Sequence, residues 1–144
     1  MALYLDTSCL LKLLFPEPES AEVATLVAAE SQILVSSLAR LEALVQISAR
    51  LAGGLLTKRT ANGLVTRMED VLQLAPFETV TTPAGLSEIA ADQILPLGKT
   101  THCRTLDRLH LAAMQALAVD RLLTNDDMQA AAAKGLGFHV TMPR

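Results

Sequence analysis

The sequence predicts an α/β fold, a three-layer α/β/α sandwich with a mainly parallel central sheet, and three observations carry that prediction. Short apolar runs suited to buried strands alternate along the chain with segments of helical composition. Two of these runs pass directly into capping residues and a helix, as Leu5 does into Asp6-Thr7-Ser8 and Leu123 does into Thr124-Asn125-Asp126. The chain has 144 residues, enough for one core and short for two domains. Strand–helix alternation implies βαβ units, whose parallel strands are covered by helices on both faces. Residues 1–144 are therefore read as a single domain.

Residues 2–5 form the first strand, and the helix after Asp6-Thr7-Ser8 stops at Phe15-Pro16-Glu17-Pro18-Glu19-Ser20, where two prolines break it. Residues 21–30 have helix-forming composition, and residues 33–35 form a short strand. Ser36 or Ser37 caps a long helix to about residue 51, ended by Gly53-Gly54. Thr57 precedes a helix from residue 58 to about 74, which Pro76 closes. Residues 77–81 alternate as a strand, residues 83 to about 95 are helical, and Pro96-Leu97-Gly98 is a loop. The clearest helix covers about 105–119. A strand at 122–123 follows, then an Ala-rich helix over about 127–134, a turn at 135–137 and a last strand at 138–140.

Twelve Lys and Arg against fifteen Asp and Glu give a formal charge of -3, so the chain lacks the basic footprint of a general nucleic-acid binder. A local patch must serve any nucleic acid. Hydrophobic residues make up 51%, with a mean hydropathy of +0.35, yet no run approaches the ~20 uncharged residues of a membrane helix. Lys12 interrupts the apolar run over residues 9–15, and Asp6 would fall inside any signal segment, so a soluble cytoplasmic protein is expected. Cys9 and Cys103 lack partners at zinc-like spacing and read as small apolar residues. High apolar content with no Trp, one Tyr and three Phe implies hydrophobic surface covered by a second copy or a partner protein.

Four acids stand out. Asp6 follows the first strand, at the carboxyl edge where α/β sheets bind ligands, although capping the next helix competes as its role. Glu42 shares a helical stripe with Leu38, Val45 and Ala49, so it needs a cation, a metal or the solvent edge; Arg40 and Arg50 do not share its face. Asp107 shares a stripe with Leu111, Met114 and Ala118, and also stands in a first turn, where negative charge is favourable. Asp126 echoes Asp6 after a second strand, with Asp127 beside it, and either of the two could cap while the other faces a pocket.

Jointly, the four carboxylates could meet in one cleft. Their mutual repulsion calls for a divalent cation, Mg²⁺ or Mn²⁺, which suits hard oxygen ligands. Such a site can activate water and neutralise charge on a phosphodiester. His110 lies between Leu109 and Leu111 and reads as a packed histidine outside the catalytic set. Lys99, His102, Arg104 and Arg108 form a basic cluster in sequence, either contacting phosphate or forming a solvated loop and helix face.

Taken in order, Tyr4-Leu5-Asp6-Thr7-Ser8, the segment over 36–42, Arg104-Thr105-Leu106-Asp107-Arg108-Leu109-His110-Leu111-Ala112, and Leu123-Thr124-Asn125-Asp126 before Gly135-Leu136 carry a resemblance. Over its whole length the chain resembles PIN domains, specifically the VapC-type toxins of bacterial and archaeal toxin–antitoxin pairs. The resemblance implies a Mg²⁺- or Mn²⁺-dependent endoribonuclease acting on RNA, with Asp6, Glu42, Asp107 and Asp126 as catalytic metal ligands. It implies support from the hydroxyls of Thr7, Ser8 and Thr124, with Asp127 as the alternative fourth ligand. It also implies a homodimer silenced by a small antitoxin whose tail fills the groove and which binds operator DNA. A PIN-fold module that no longer cuts, or a PIN nuclease of RNA processing, are the competing readings; the presence of all four acids opposes the first. An aspartyl phosphatase would carry a second Asp where Ser8 stands.

Overall fold

The computed structural model describes residues 1–99 and 101–144. The strands β1 (Leu3–Leu5), β2 (Ile33–Ser36), β3 (Phe77–Val80), β4 (Arg121–Leu123) and β5 (His139–Thr141) join in one sheet of order β3-β2-β1-β4-β5. Every pairing is parallel, from Leu3 opposite Ile33 to Leu123 opposite Thr141. The sheet is thus wholly parallel rather than mainly so.

Among the described residues, seven helices cover it: α1 (Thr7–Leu14), α2 (Ser20–Ala28), α3 (Ser37–Ala52), α4 (Lys58–Leu72), α5 (Leu86–Ile94), α6 (Thr105–Ala116) and α7 (Asp127–Gly135). Successive side chains on a strand point to opposite faces, and here both faces are buried. Leu3, Leu5, Ile33, Val35 and Leu123 enter a core with residues of α1 to α4. Tyr4, Leu34 and Leu122 enter a second core with residues of α5 to α7. Two cores on two faces are the reason the strands read as continuous apolar runs instead of alternating ones.

Several boundaries differ from the sequence reading. The helix expected from residue 83 begins at Leu86, because Gly85 takes a left-handed conformation with φ 76. The helix expected to reach 119 ends at Ala116, where Ala118 at φ 56 turns the chain and Val119 N–H donates to the Met114 carbonyl at 3.0 Å. The last strand is shifted by one residue, to His139–Thr141. Of the two candidate caps, Ser36 caps α3, its Oγ accepting from Ala39 N–H at 3.2 Å. Among the described residues no helix is long and apolar enough to cross a membrane.

The strand order positions the site. From β1 the chain builds outward through β2 and β3, then returns to the other side of β1 for β4 and β5. Direction therefore reverses between β1 and β4. Beyond the carboxyl ends of strands at such a reversal lies the crevice in which open α/β sheets bind ligands.

Candidate functional site

A cavity of about 530 Å³ opens at that place, lined by Asp6, Glu42, Asp107 and Asp126 with Thr7, Ser8 and Arg104. The structure thus brings together all four predicted acids from four parts of the fold: Asp6 between β1 and α1, Glu42 on α3, Asp107 on α6 and Asp126 between β4 and α7. Apolar residues Leu11, Leu38, Leu41, Val45 and Leu106, with Gln46 and Thr105, complete the lining. The stripe that Glu42 shares is therefore a wall of the cleft and not the core face of its helix. What α3 buries is Ala39, Ala43 and Ile47, whereas Val45 is 54% exposed.

Asp6 and Asp126 each cap a helix through one carboxylate oxygen while also lining the cavity. Asp6 Oδ2 accepts from Ser8 N–H at 3.2 Å and Ser8 Oγ at 2.8 Å, and lies 3.1 Å from Thr124 Oγ1. These bonds cap α1, while Oδ1 lies 3.9 Å from His110 Nε2. Asp126 Oδ1 accepts from Gln129 N–H at 2.9 Å and caps α7, while its Oδ2 stands 3.5 Å from Arg104 Nη2. Asp127 has an 81% exposed side chain 3.4 Å from Arg144 Nη2 and does not line the cavity. Of the adjacent pair, Asp126 faces the cleft.

Glu42 has a partner that local sequence does not reveal. Its Oε1 accepts from Thr7 Oγ1 at 3.0 Å and, in a short hydrogen bond, from His110 Nε2. Arg40 is taken by Glu69 at 2.5 Å, and Arg50 stacks on Phe15 with its centre 3.8 Å from the ring centroid. Burial pushes the Glu42 carboxyl up, but the His110 hydrogen bond and charge, with Thr7 and Arg104, outweigh it and hold it below the ordinary carboxylate value. Burial likewise works against a charged His110 ring, and the Glu42 hydrogen bond with the charges of Asp6, Glu42 and Asp107 outweighs it and raises that pKa.

The packed-histidine reading of His110 holds for its burial, with no exposed surface, and misses its role as Glu42's partner. Its Nδ1 lies 2.6 Å from the Tyr4 hydroxyl, which donates to Ser36 Oγ at 3.0 Å. The signal in the sequence is that a histidine three residues after Asp107, buried between core leucines, must find polar partners.

Asp107 is 3% exposed and its Oδ2 accepts from Arg104 Nε at 3.0 Å. Burial pushes its carboxyl above the ordinary value; Arg104 opposes this, and the charges of Asp6 and Asp126 add to it. The basic cluster does not act as one group. Arg104 enters the cleft with a 73% exposed side chain. Lys99 is exposed outside the cavity lining. Arg108 is buried, donates to the Thr101 carbonyl, and lines a separate cavity that also includes His102, Cys103 and residues of α5.

Carboxylate and hydroxyl oxygens make a donor set suited to a hard divalent cation. Among the described residues, no group of three His, Cys, Asp or Glu side chains is drawn together closely enough to hold an ion as it stands. Glu42 Oε1 is turned to His110 and Asp107 to Arg104. The Arg104 guanidinium itself stands between Asp107 and Asp126, a positive charge at the point of convergence. Burial first, and the charges of Asp6 and Asp126 after it, raise the Asp107 carboxyl, and Arg104 bridges two of the carboxylates. In chemistry, though not in spacing as it stands, the donor set fits a hard cation.

Residues 3–135 match the PIN domain family. Ribonuclease VapC46 of Mycobacterium tuberculosis is 34% identical over 144 residues, covering 99% of this chain and 98% of that protein. Among solved structures, VapBC2 from Rickettsia felis, bound to a DNA fragment from their promoter, superposes with a TM-score of 0.71 at 16% identity, covering 100% of each chain. A toxin–antitoxin complex from Klebsiella pneumoniae superposes with a TM-score of 0.66 at 19% identity, covering 100% of this chain and 98% of that one. At these identities the two structures speak for the fold, and they agree with the three-layer sandwich.

Proposed function

We propose, from the premise that the chain belongs to the PIN domain family, that it is a metal-dependent endoribonuclease and the toxin of a toxin–antitoxin pair. In this reading Asp6, Glu42, Asp107 and Asp126 are the acidic ligands of Mg²⁺ or Mn²⁺. The observation that carries it is that all four line one cavity at the reversal of strand order. The name of the VapC46 relative, a ribonuclease, supports RNA as substrate.

When bound, the divalent ion supplies positive charge to the scissile phosphodiester and acidifies the attacking water. The chain's own residues hold that arrangement. Ser8 and Thr124 fix Asp6, and Thr7 fixes Glu42, through the hydrogen bonds described above. Asp126 is fixed by its cap to α7. Arg104, on a long exposed side chain, turns from the carboxylates to a phosphate of the bound strand, with Lys99 outside the cleft as a second contact. Arg108 is buried and takes no part.

The partner in this reading is a small antitoxin protein, which the likeness in fold to chains of toxin–antitoxin complexes supports, and in the same reading the toxin is a cytoplasmic homodimer. Leu41, Val45 and Leu106, 56%, 54% and 45% exposed beside the acids, are the apolar surface that such a partner would cover.

The test is cleavage of single-stranded RNA by the purified chain, free of partner, with Mg²⁺ or Mn²⁺. Chelator is expected to abolish cleavage, and Asp6→Asn to lower it by about two orders of magnitude or more. Cleavage that persists unchanged in chelator rejects the metal-dependent reaction.

A further inference from the structure

We infer that His110 is a positioning residue: through a buried chain of hydrogen bonds from Ser36 and Tyr4, it holds the Glu42 carboxylate in the orientation that serves the cation. The inference rests on the proposed metal site and deepens it.

Ser36, Tyr4 and His110 have no exposed surface, so water does not compete for the bonds between them. The three come from three elements, with Ser36 ending β2, Tyr4 in β1 and His110 on α6. Ser36 is also the cap of α3, the helix that carries Glu42. The bonds therefore close a loop: from the start of α3, through Tyr4 of the central strand, across to α6, and back to α3 at Glu42. Tyr4 and His110 also meet edge to face, with ring centroids 5.7 Å apart at 72°. The imidazole has little room to turn.

A carboxylate only accepts, so His110 Nε2 carries the proton it gives to Glu42. The Thr7 hydroxyl donates to the same oxygen, Oε1, which leaves Oε2 as the oxygen for the cleft. A free Glu side chain must give up rotamers to bind an ion; one held on a single oxygen has already done so. His110 does not line the cavity. It stands behind Glu42 and acts through it, not on substrate.

The experiment uses the full chain and Mn²⁺ titrations by calorimetry on wild type, Glu42→Gln, His110→Leu, His110→Gln and Tyr4→Phe, with a thermal melt of each to establish folding. Removing the partner of a metal ligand is expected to weaken Mn²⁺ binding about tenfold or more in His110→Leu, and about threefold or more in Tyr4→Phe. His110→Gln keeps an N–H donor toward Glu42 and is expected to recover binding to within about threefold of wild type. In steady-state cleavage of RNA, His110→Leu and Tyr4→Phe are expected to lower kcat and leave the RNA KM unchanged, with His110→Gln near wild type. If Glu42→Gln weakens binding while folded His110→Leu and Tyr4→Phe match wild type, the positioning role is overturned and the metal site stands. If wild type binds no Mn²⁺, both fall. Should His110→Leu fail to fold, Tyr4→Phe, which removes a single oxygen, decides by the same criterion.

Discussion

Asp6 and Asp126 pose the same question in sequence, cap or site, and in both the capping bonds fall on one carboxylate oxygen, so the proposed site role rests on the other. In the proposed function, capping fixes the side chain that the site needs. Asp127, pointing away toward Arg144, separates the two acids that sequence leaves equivalent. Asp126→Ser keeps a capping oxygen and removes the carboxylate; it is expected to lower initial rates of RNA cleavage in Mn²⁺ by at least about tenfold. Asp127→Asn is expected to stay within about twofold of wild type in the same assay. The opposite order would make Asp127 the fourth ligand. Glu42 was legible as an acid in need of a partner, and that much follows from spacing alone. The partner was not, because His110 lies 68 residues away and spacing speaks only of neighbours on one helix.

At the scale of elements, the helix α6 ends earlier than its composition implies. Leu117 and Ala118 favour helix, yet β-branched Val119 is 7% exposed within the core under α5 to α7, and the chain must turn there to enter β4. Ala118 takes the left-handed conformation at the turn, where glycine is the usual residue. Ala118→Gly relieves a steric cost and adds entropy to the unfolded chain, for an expected net gain of about 0.5–1 kcal/mol. A thermal melt measures it, and a lower Tm would show that the left-handed Ala118 carries no cost. The α3 helix shows a second limit of periodicity. Leu38, Val45 and Ala49 form one apolar stripe and Ala39, Ala43 and Ile47 another, and only packing against α1 and α4 selects the second as the core.

Across the whole molecule, strands from residue 3 to residue 141 share one sheet, and the chain is expected to unfold in one cooperative transition. Arg121, at the start of β4, ties distant parts together: its Nη1 donates to Glu30 Oε2 at 3.0 Å and to the Met1 carbonyl at 3.2 Å. The Arg121 hydrogen bond holds the Glu30 carboxyl below its ordinary value, against the opposing effect of burial. A carboxyl lowered in the fold contributes stability above its unfolded pKa of about 4.3, and that contribution is lost as pH falls through the lowered value. The Tm difference between wild type and Glu30→Gln is therefore expected to narrow as pH falls from about 5 to about 3; a constant difference would show that the pair contributes nothing through ionisation. By itself the sequence determined the alternation of strands and helices, the caps, and the acids at strand ends, because these depend on residues within a few positions of one another. The tertiary structure alone decided the strand order, the helix faces that line the cleft, and the contacts that complete it, such as Thr124 to Asp6 across 118 positions. Those contacts depend on which helix covers which face of the sheet, and that choice is made by packing two cores at once, beyond the reach of any local pattern.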